Sequence, residues 1–131
     1  MSTHTHMIPQ SKRVRTTEEI VDILRTVPNE KGFHFYKALG NFTGETATSL
    51  HTFEKKLQVV PPESVTFHMQ RGDFQKWIDE TLGDKELAKR INSTKPTLPT
   101  EDLRKNLLAM VQLRISELKR ELPHHLQHKH S

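Results

Sequence analysis

His68, Arg71, Asp73 and Trp77 stand close together in SVTFHMQRGDFQKWIDETLGDKELAKRI, the stretch from Ser64 to Ile91. An arginine beside an indole can recognise a ligand, because the guanidinium holds an anion while the ring offers a stacking face. The same four residues have a plainer, structural account. Asp73 follows Gly72 and is expected to cap the next helix, so that Asp73→Ala would cost about 1 kcal/mol. Trp77 is expected to be the main core aromatic, and His68 a partly buried histidine hydrogen-bonded across the corner. The tripeptide Arg71-Gly72-Asp73 is also an adhesion sequence, but no secretion signal is visible and the aspartate already has a structural task.

Other chemistry finds little footing. Of nine histidines, His124, His125, His128 and His130 fall near the C-terminus and His4 and His6 near the N-terminus. A metal site needs ligands fixed in space, so no metal and no cofactor is expected. A helix restarting after Pro123 would place His124 and His128 on one face, enough for adventitious Ni or Zn capture. There is no cysteine and no GxSxG elbow. The five glycines form neither GxxxxGK nor GxGxxG, which leaves a phosphate cradle unsupported.

Two glycine-aspartate pairs, Gly72-Asp73 and Gly83-Asp84, punctuate the elements that must position these residues. Glycine accepts the left-handed conformation that ends a helix, and aspartate suits the start of the next. Thr16 and Glu19 have capping-box spacing ahead of the stripe Ile20, Val21, Ile23, Leu24 and Val27, which stops at Pro28. Residues 33 to 47 carry alternating aromatics and a Gly40-Asn41 pair, which predicts an extended or hairpin segment. The competing reading there is one helical turn through Phe35 to Leu39 and a loop. Thr48 or Ser49 caps a helix with Leu50, Phe53 and Leu57 inward. Pro61 and Pro62 open the next helix despite the strand-like alternation of VTFHM, placing Val65, His68 and Met69 on one face.

After the first corner, Phe74, Trp77, Ile78 and Leu82 make a helical stripe; after the second, Leu87, Ala88 and Ile91 make a shorter one. INSTKPTLPT reads as a linker. Thr100 is then expected to cap the longest helix, about 20 residues or roughly 30 Å, with Leu103, Leu107, Met110, Val111, Leu118 and Leu122 inward and Pro123 ending it. Leu108, Leu113 and Ile115 fall outside that stripe and could form a second apolar face. The expected fold is mainly α: a compact bundle of about five or six helices over residues 16–122, with a flexible basic arm at 1–15 and a flexible His-rich tail at 123–131.

The corner stretch resembles a recurring prokaryotic domain of unknown function. The pattern SxxFHxxRGDFxxWxxxxLGDxxLAxxI is met here by Ser64, Phe67, His68, Arg71, Gly72, Asp73, Phe74, Trp77, Leu82, Gly83, Asp84, Leu87, Ala88 and Ile91. From Phe33 onward the order of an aromatic extended segment, a glycine-containing loop and a helix such as SLHTFEKKL also matches. The resemblance implies a small, mostly helical domain and no established activity.

Composition narrows the class further. The chain has 131 residues, enough for one modest core, and 33% are hydrophobic. With mean hydropathy of −0.70, that core must come from concentrated stripes. No apolar run approaches the roughly 18 residues of a membrane span, and the N-terminus lacks the apolar centre of a signal peptide. Absence of cysteine excludes a disulfide framework, so cytoplasmic location is the expectation. Net charge is +4, and Lys12, Arg13 and Arg15 hold much of the excess. The leading functional expectation is a non-enzymatic module that binds a protein partner or itself. The alternative is a nucleic-acid-associated protein gripping phosphate backbone through Lys12, Arg13 and Arg15. Against the alternative, residues 101–121 interleave five basic with four acidic side chains, the pattern of a solvated helix face.

Overall fold

The computed structural model describes residues 16–127. The predicted arm at 1–15, with Lys12, Arg13 and Arg15, lies outside the described residues, as does the end of the tail from 128. Mainly helical architecture with one small antiparallel hairpin is what the chain adopts. Seven α-helices occur among the described residues, against the five or six expected.

Thr16 and Glu19 form the predicted capping box and open α1, Thr17–Leu24. Ile20, Ile23 and Leu24 are buried, while Val21 turns outward. A 3-10 turn at Asn29–Lys31 leads into β1, Phe33–Ala38, paired antiparallel with β2, Asn41–Ala47. The extended reading of this segment is the correct one, but the turn is Leu39-Gly40, one residue earlier than the expected Gly40-Asn41. The second turn residue lies at positive φ (Gly40, 74°), a conformation glycine adopts without steric cost. The ladder is irregular between His34 and Ala38, and Gly44 (φ 92°) lies in β2 opposite that region.

Ser49, with Thr52 bonding back, caps α2, Leu50–Val59, which buries Leu50, Phe53 and Leu57 as its spacing requires. α3, Pro62–Arg71, begins on the two prolines and buries Val65, His68 and Met69 together with Ser64. Gly72 (φ 74°) ends α3 and starts α4, Asp73–Trp77. The chain then widens into one π-helical turn, Ile78–Leu82, closed by Gly83 (φ 82°), whose N–H donates to the Ile78 carbonyl. Asp84 caps α5, Lys85–Asn92, by accepting from the Leu87 N–H.

α6, Thr100–Glu121, is the long helix against which α1, α2, α3 and α5 pack. Its cap differs from expectation. Pro99 holds the cap position, and Thr100 sits inside the first turn, where its hydroxyl bonds to that of Thr66 at 2.6 Å. Leu103, Leu107, Val111, Leu118 and Leu122 are buried as predicted, and Met110 is partly so. The supposed second face divides: Ile115 is buried, Leu108 packs against the core, and Leu113 is exposed. After Pro123 a single turn, α7, His124–Gln127, places Leu126 against the core, so the predicted tail begins with structure.

The centre of the core is aromatic. Phe33 and Phe35 from β1 meet Phe53 from α2 and Phe74 and Trp77 from α4, with ring centroids 4.8 to 6.2 Å apart. Trp77 is on a helix and buried, and its Nε1–H donates to the Lys31 carbonyl at 2.9 Å, tying α4 to the entrance of β1. Both corners depend on left-handed glycines, a conformation that costs an L-residue about 1 to 2 kcal/mol. Gly72→Ala and Gly83→Ala should therefore each lower the unfolding free energy by about that amount in urea denaturation. Unchanged denaturation midpoints would mean that the corners are not held in this conformation.

Candidate functional site

The first corner and the hairpin enclose an open groove of about 570 Å³. β1 supplies Phe33, His34 and Tyr36, the hairpin turn Leu39 and Gly40, α3 Phe67, His68 and Arg71, and α4 Asp73, Lys76 and Trp77. All four residues singled out in the sequence therefore meet in one place. The reason is local. A left-handed glycine folds α4 back beside the end of α3, bringing residues 68, 71 and 73 together, and the helical spacing from Asp73 to Trp77 keeps the indole on the same side.

His68 is buried between Phe33, Phe67 and Phe74, with ring centroids 4.7, 5.0 and 5.4 Å away. Its Nε2 accepts the backbone N–H of Tyr36 at 2.9 Å, and its Nδ1 is 2.8 Å from Asp73 Oδ2. A backbone N–H can only donate, so Nε2 must carry the lone pair and Nδ1 the proton, which it gives to the carboxylate. Burial moves the histidine below its ordinary pKa of 6.5, against the raising effect of the Asp73 hydrogen bond and charge and together with the lowering charge of Arg71.

Asp73 is not the helix cap the sequence predicts. Gly72 occupies the cap position and no side chain caps α4. Asp73 stands one residue into the helix, and its Oδ2 accepts from His68 Nδ1 at 2.8 Å and from Arg71 Nε at 2.9 Å. The carboxylate is a clamp between two helices, because the tight turn brings His68 within its reach before the helix N–H groups can compete. Arg71 keeps its guanidinium carbon 5.1 Å above the Phe67 ring and is half exposed at the groove edge.

Two findings bear on alternative chemistry. Among the described residues no group of three or more His, Cys, Asp or Glu side chains could hold a metal ion, and no helix is long and apolar enough to cross a membrane. Basic residues of the C-terminal half are partly spent on the fold. Arg104 donates from Nη1 to the carbonyls of Leu57 and Val60, and Arg90 pairs with Glu86 and Glu117.

Arg114 departs most from sequence reasoning, which counts it among solvated charges. It is 2% exposed and donates from Nε and Nη2 to the two oxygens of Asp84, itself 1% exposed, at 2.9 and 3.1 Å. Its Nη1 reaches Glu117, which also binds Arg90. The second corner is thereby fastened to α6 by a fork-to-fork ion pair. The available signal is positional: 114 lies seven residues from Leu107 and four from Leu118, on the inward stripe. Burial acts to raise the pKa of Glu117, but hydrogen bonds from Arg90 and Arg114 and their charge carry it below its ordinary 4.5.

Removing one member of a buried pair leaves the other charge uncompensated. Arg114→Met should therefore cost about 3 to 5 kcal/mol in urea denaturation, and the surface change Lys105→Met well under 1. Equal costs would contradict the burial of the pair. Because the native state holds Glu117 ionised, its contribution is complete above pH 4.5 and disappears as the pH falls through its lowered value. Glu117→Gln should therefore flatten the acid limb of stability below pH 4.5, and an unaltered limb would contradict this.

A family model described as a family of unknown function, DUF5752, matches residues 19–112, more than half of the chain and all of the groove. No curated protein and no solved structure matches the chain.

Proposed function

The chain belongs to that family of unknown function, and with this as premise we propose that it is a non-enzymatic protein-interaction module whose aromatic groove receives a segment of a partner protein. The observation that carries the reading is the closure of His68 at both nitrogens. A general base needs a free lone pair within reach of a proton, and here that lone pair is engaged by the Tyr36 N–H. The groove therefore offers walls, and the His68 ring in it holds no free lone pair.

What remains available suits recognition. Leu39 at the hairpin turn is 79% exposed. Phe42, 47% exposed, packs beside the Tyr36 and His34 rings. Exposed apolar and aromatic side chains beside a concave surface, with a polar rim, are the usual anatomy of a protein contact. Arg71, already immobilised by Asp73 and Phe67, loses little freedom when it pairs with an incoming group. The occupant is a polypeptide segment bringing apolar side chains to Leu39, Phe42 and the groove, whether from another protein or from a second copy of the chain.

The test compares Leu39→Glu with Phe42→Ser, made together, against the control Leu113→Ser, an exposed position of α6 that does not line the groove. Proteins retained from native lysate by the full chain, and any self-association in sedimentation, should weaken at least about tenfold in the groove variant and persist in the control. Retention that survives the groove variant, or that falls equally in both, would overturn the assignment.

A further inference from the structure

The buried His68 ring lines the groove and bonds both β1 and α4. His68 joins three elements through two hydrogen bonds: β1 through the Tyr36 N–H, its own helix α3, and α4 through Asp73. Its neutral form satisfies both partners. A further proton has only Nε2 to occupy, and there it meets the Tyr36 N–H, donor against donor. The bond between α3 and β1 is then lost, and a charged ring is left among Phe33, Phe67 and Phe74.

The titratable and charged groups around the ring are few. α4 presents Asp73, α3 presents Arg71, and β1 presents the Tyr36 phenol, its ring centroid 6.5 Å away. His34 of β1, bonded to Thr46, and Lys76 and Glu80 stand elsewhere on the groove wall. Asp73 favours the charged ring, but it already receives Arg71 at the same oxygen. Its pull does not restore the acceptor that Tyr36 needs.

We propose that His68 is a proton-sensitive latch on the groove, a further proton on its ring breaking the bond to Tyr36 and releasing the hairpin wall from the α3–α4 corner. The latch rests on the partner-binding reading only for its consequence, since opening would reshape the surface that carries Leu39, Tyr36 and Arg71. Its direction follows from the lowered pKa. The latched state is fully favoured above pH 6.5, the value of a freely exposed ring, and loses ground as the pH falls from there to the depressed value of the buried ring.

Hydrogen exchange on the full chain, corrected for the intrinsic pH dependence of exchange, reads this without any partner. Protection of the Tyr36 amide should be weaker than that of Leu107 and Val111 in α6, marking a local opening. Opening should increase about tenfold for each pH unit between 6.5 and the point where the His68 ring titrates by NMR, as uptake of one proton requires. In His68→Gln the amide oxygen can still accept from Tyr36 but takes up no proton, so this slope should vanish. In Asp73→Asn, which removes the charge favouring the imidazolium, the sloping window should extend further into acid. A Tyr36 amide as protected as α6 at every pH, a slope that survives His68→Gln, or a window that shrinks in Asp73→Asn would each overturn the latch. None of these outcomes depends on whether the groove variant loses its partner.

Discussion

The Tyr36 backbone N–H is partly buried and finds its acceptor in the ring of His68. Much of the groove follows from that pairing. Placing the lone pair on Nε2 fixes the proton on Nδ1, which calls for a carboxylate, and Asp73 is delivered there by the left-handed turn at Gly72. Asp73 in turn draws in Arg71, and Arg71 lies over Phe67. The chain of contacts runs from the hairpin through two helices to the groove edge. The first two steps pair polar groups that are at least partly buried, and the last two hold the half-exposed Arg71 at the edge.

The two glycine-aspartate corners look alike in sequence and do different work. At the second, Asp84 caps α5 and is buried against Arg114, so the corner is pinned to the long helix. At the first, Asp73 gives up capping and ties helix to helix, with one face still open to solvent. A fully buried corner has nowhere for a ligand to approach, whereas a half-open one beside an exposed hairpin turn does. The contrast makes Gly83 a structural anchor and leaves the corner at Gly72 open to solvent, where the proposed recognition surface lies.

What could be read from the chain alone was whatever local stereochemistry decides. The Thr16 capping box, the Pro61-Pro62 helix start, the glycine stops and the inward stripe from Phe74 to Leu82 need only neighbours within a few residues, and the structure bears them out. The gathering of His68, Arg71, Asp73 and Trp77 at one corner was legible for the same reason. The hairpin turn slipped by one residue because Gly40 can serve either turn position, and only pairing across the strands selects one. Asp73 and Thr100 were both misread as caps because the sequence does not show that His68 and Thr66 compete for their side chains. Arg114 was missed because Asp84, its reason for being buried, lies in another helical corner of the chain. Membership in a family of unknown function added no chemistry to this reading.

The tautomer of His68 at neutral pH is the most direct measurement of the central claim, and nitrogen-15 NMR of the imidazole resolves it in the intact chain. A ring protonated at Nδ1 with a bare Nε2 is the result the Tyr36 and Asp73 contacts require. A ring protonated at Nε2, or carrying charge at neutral pH, would contradict those contacts.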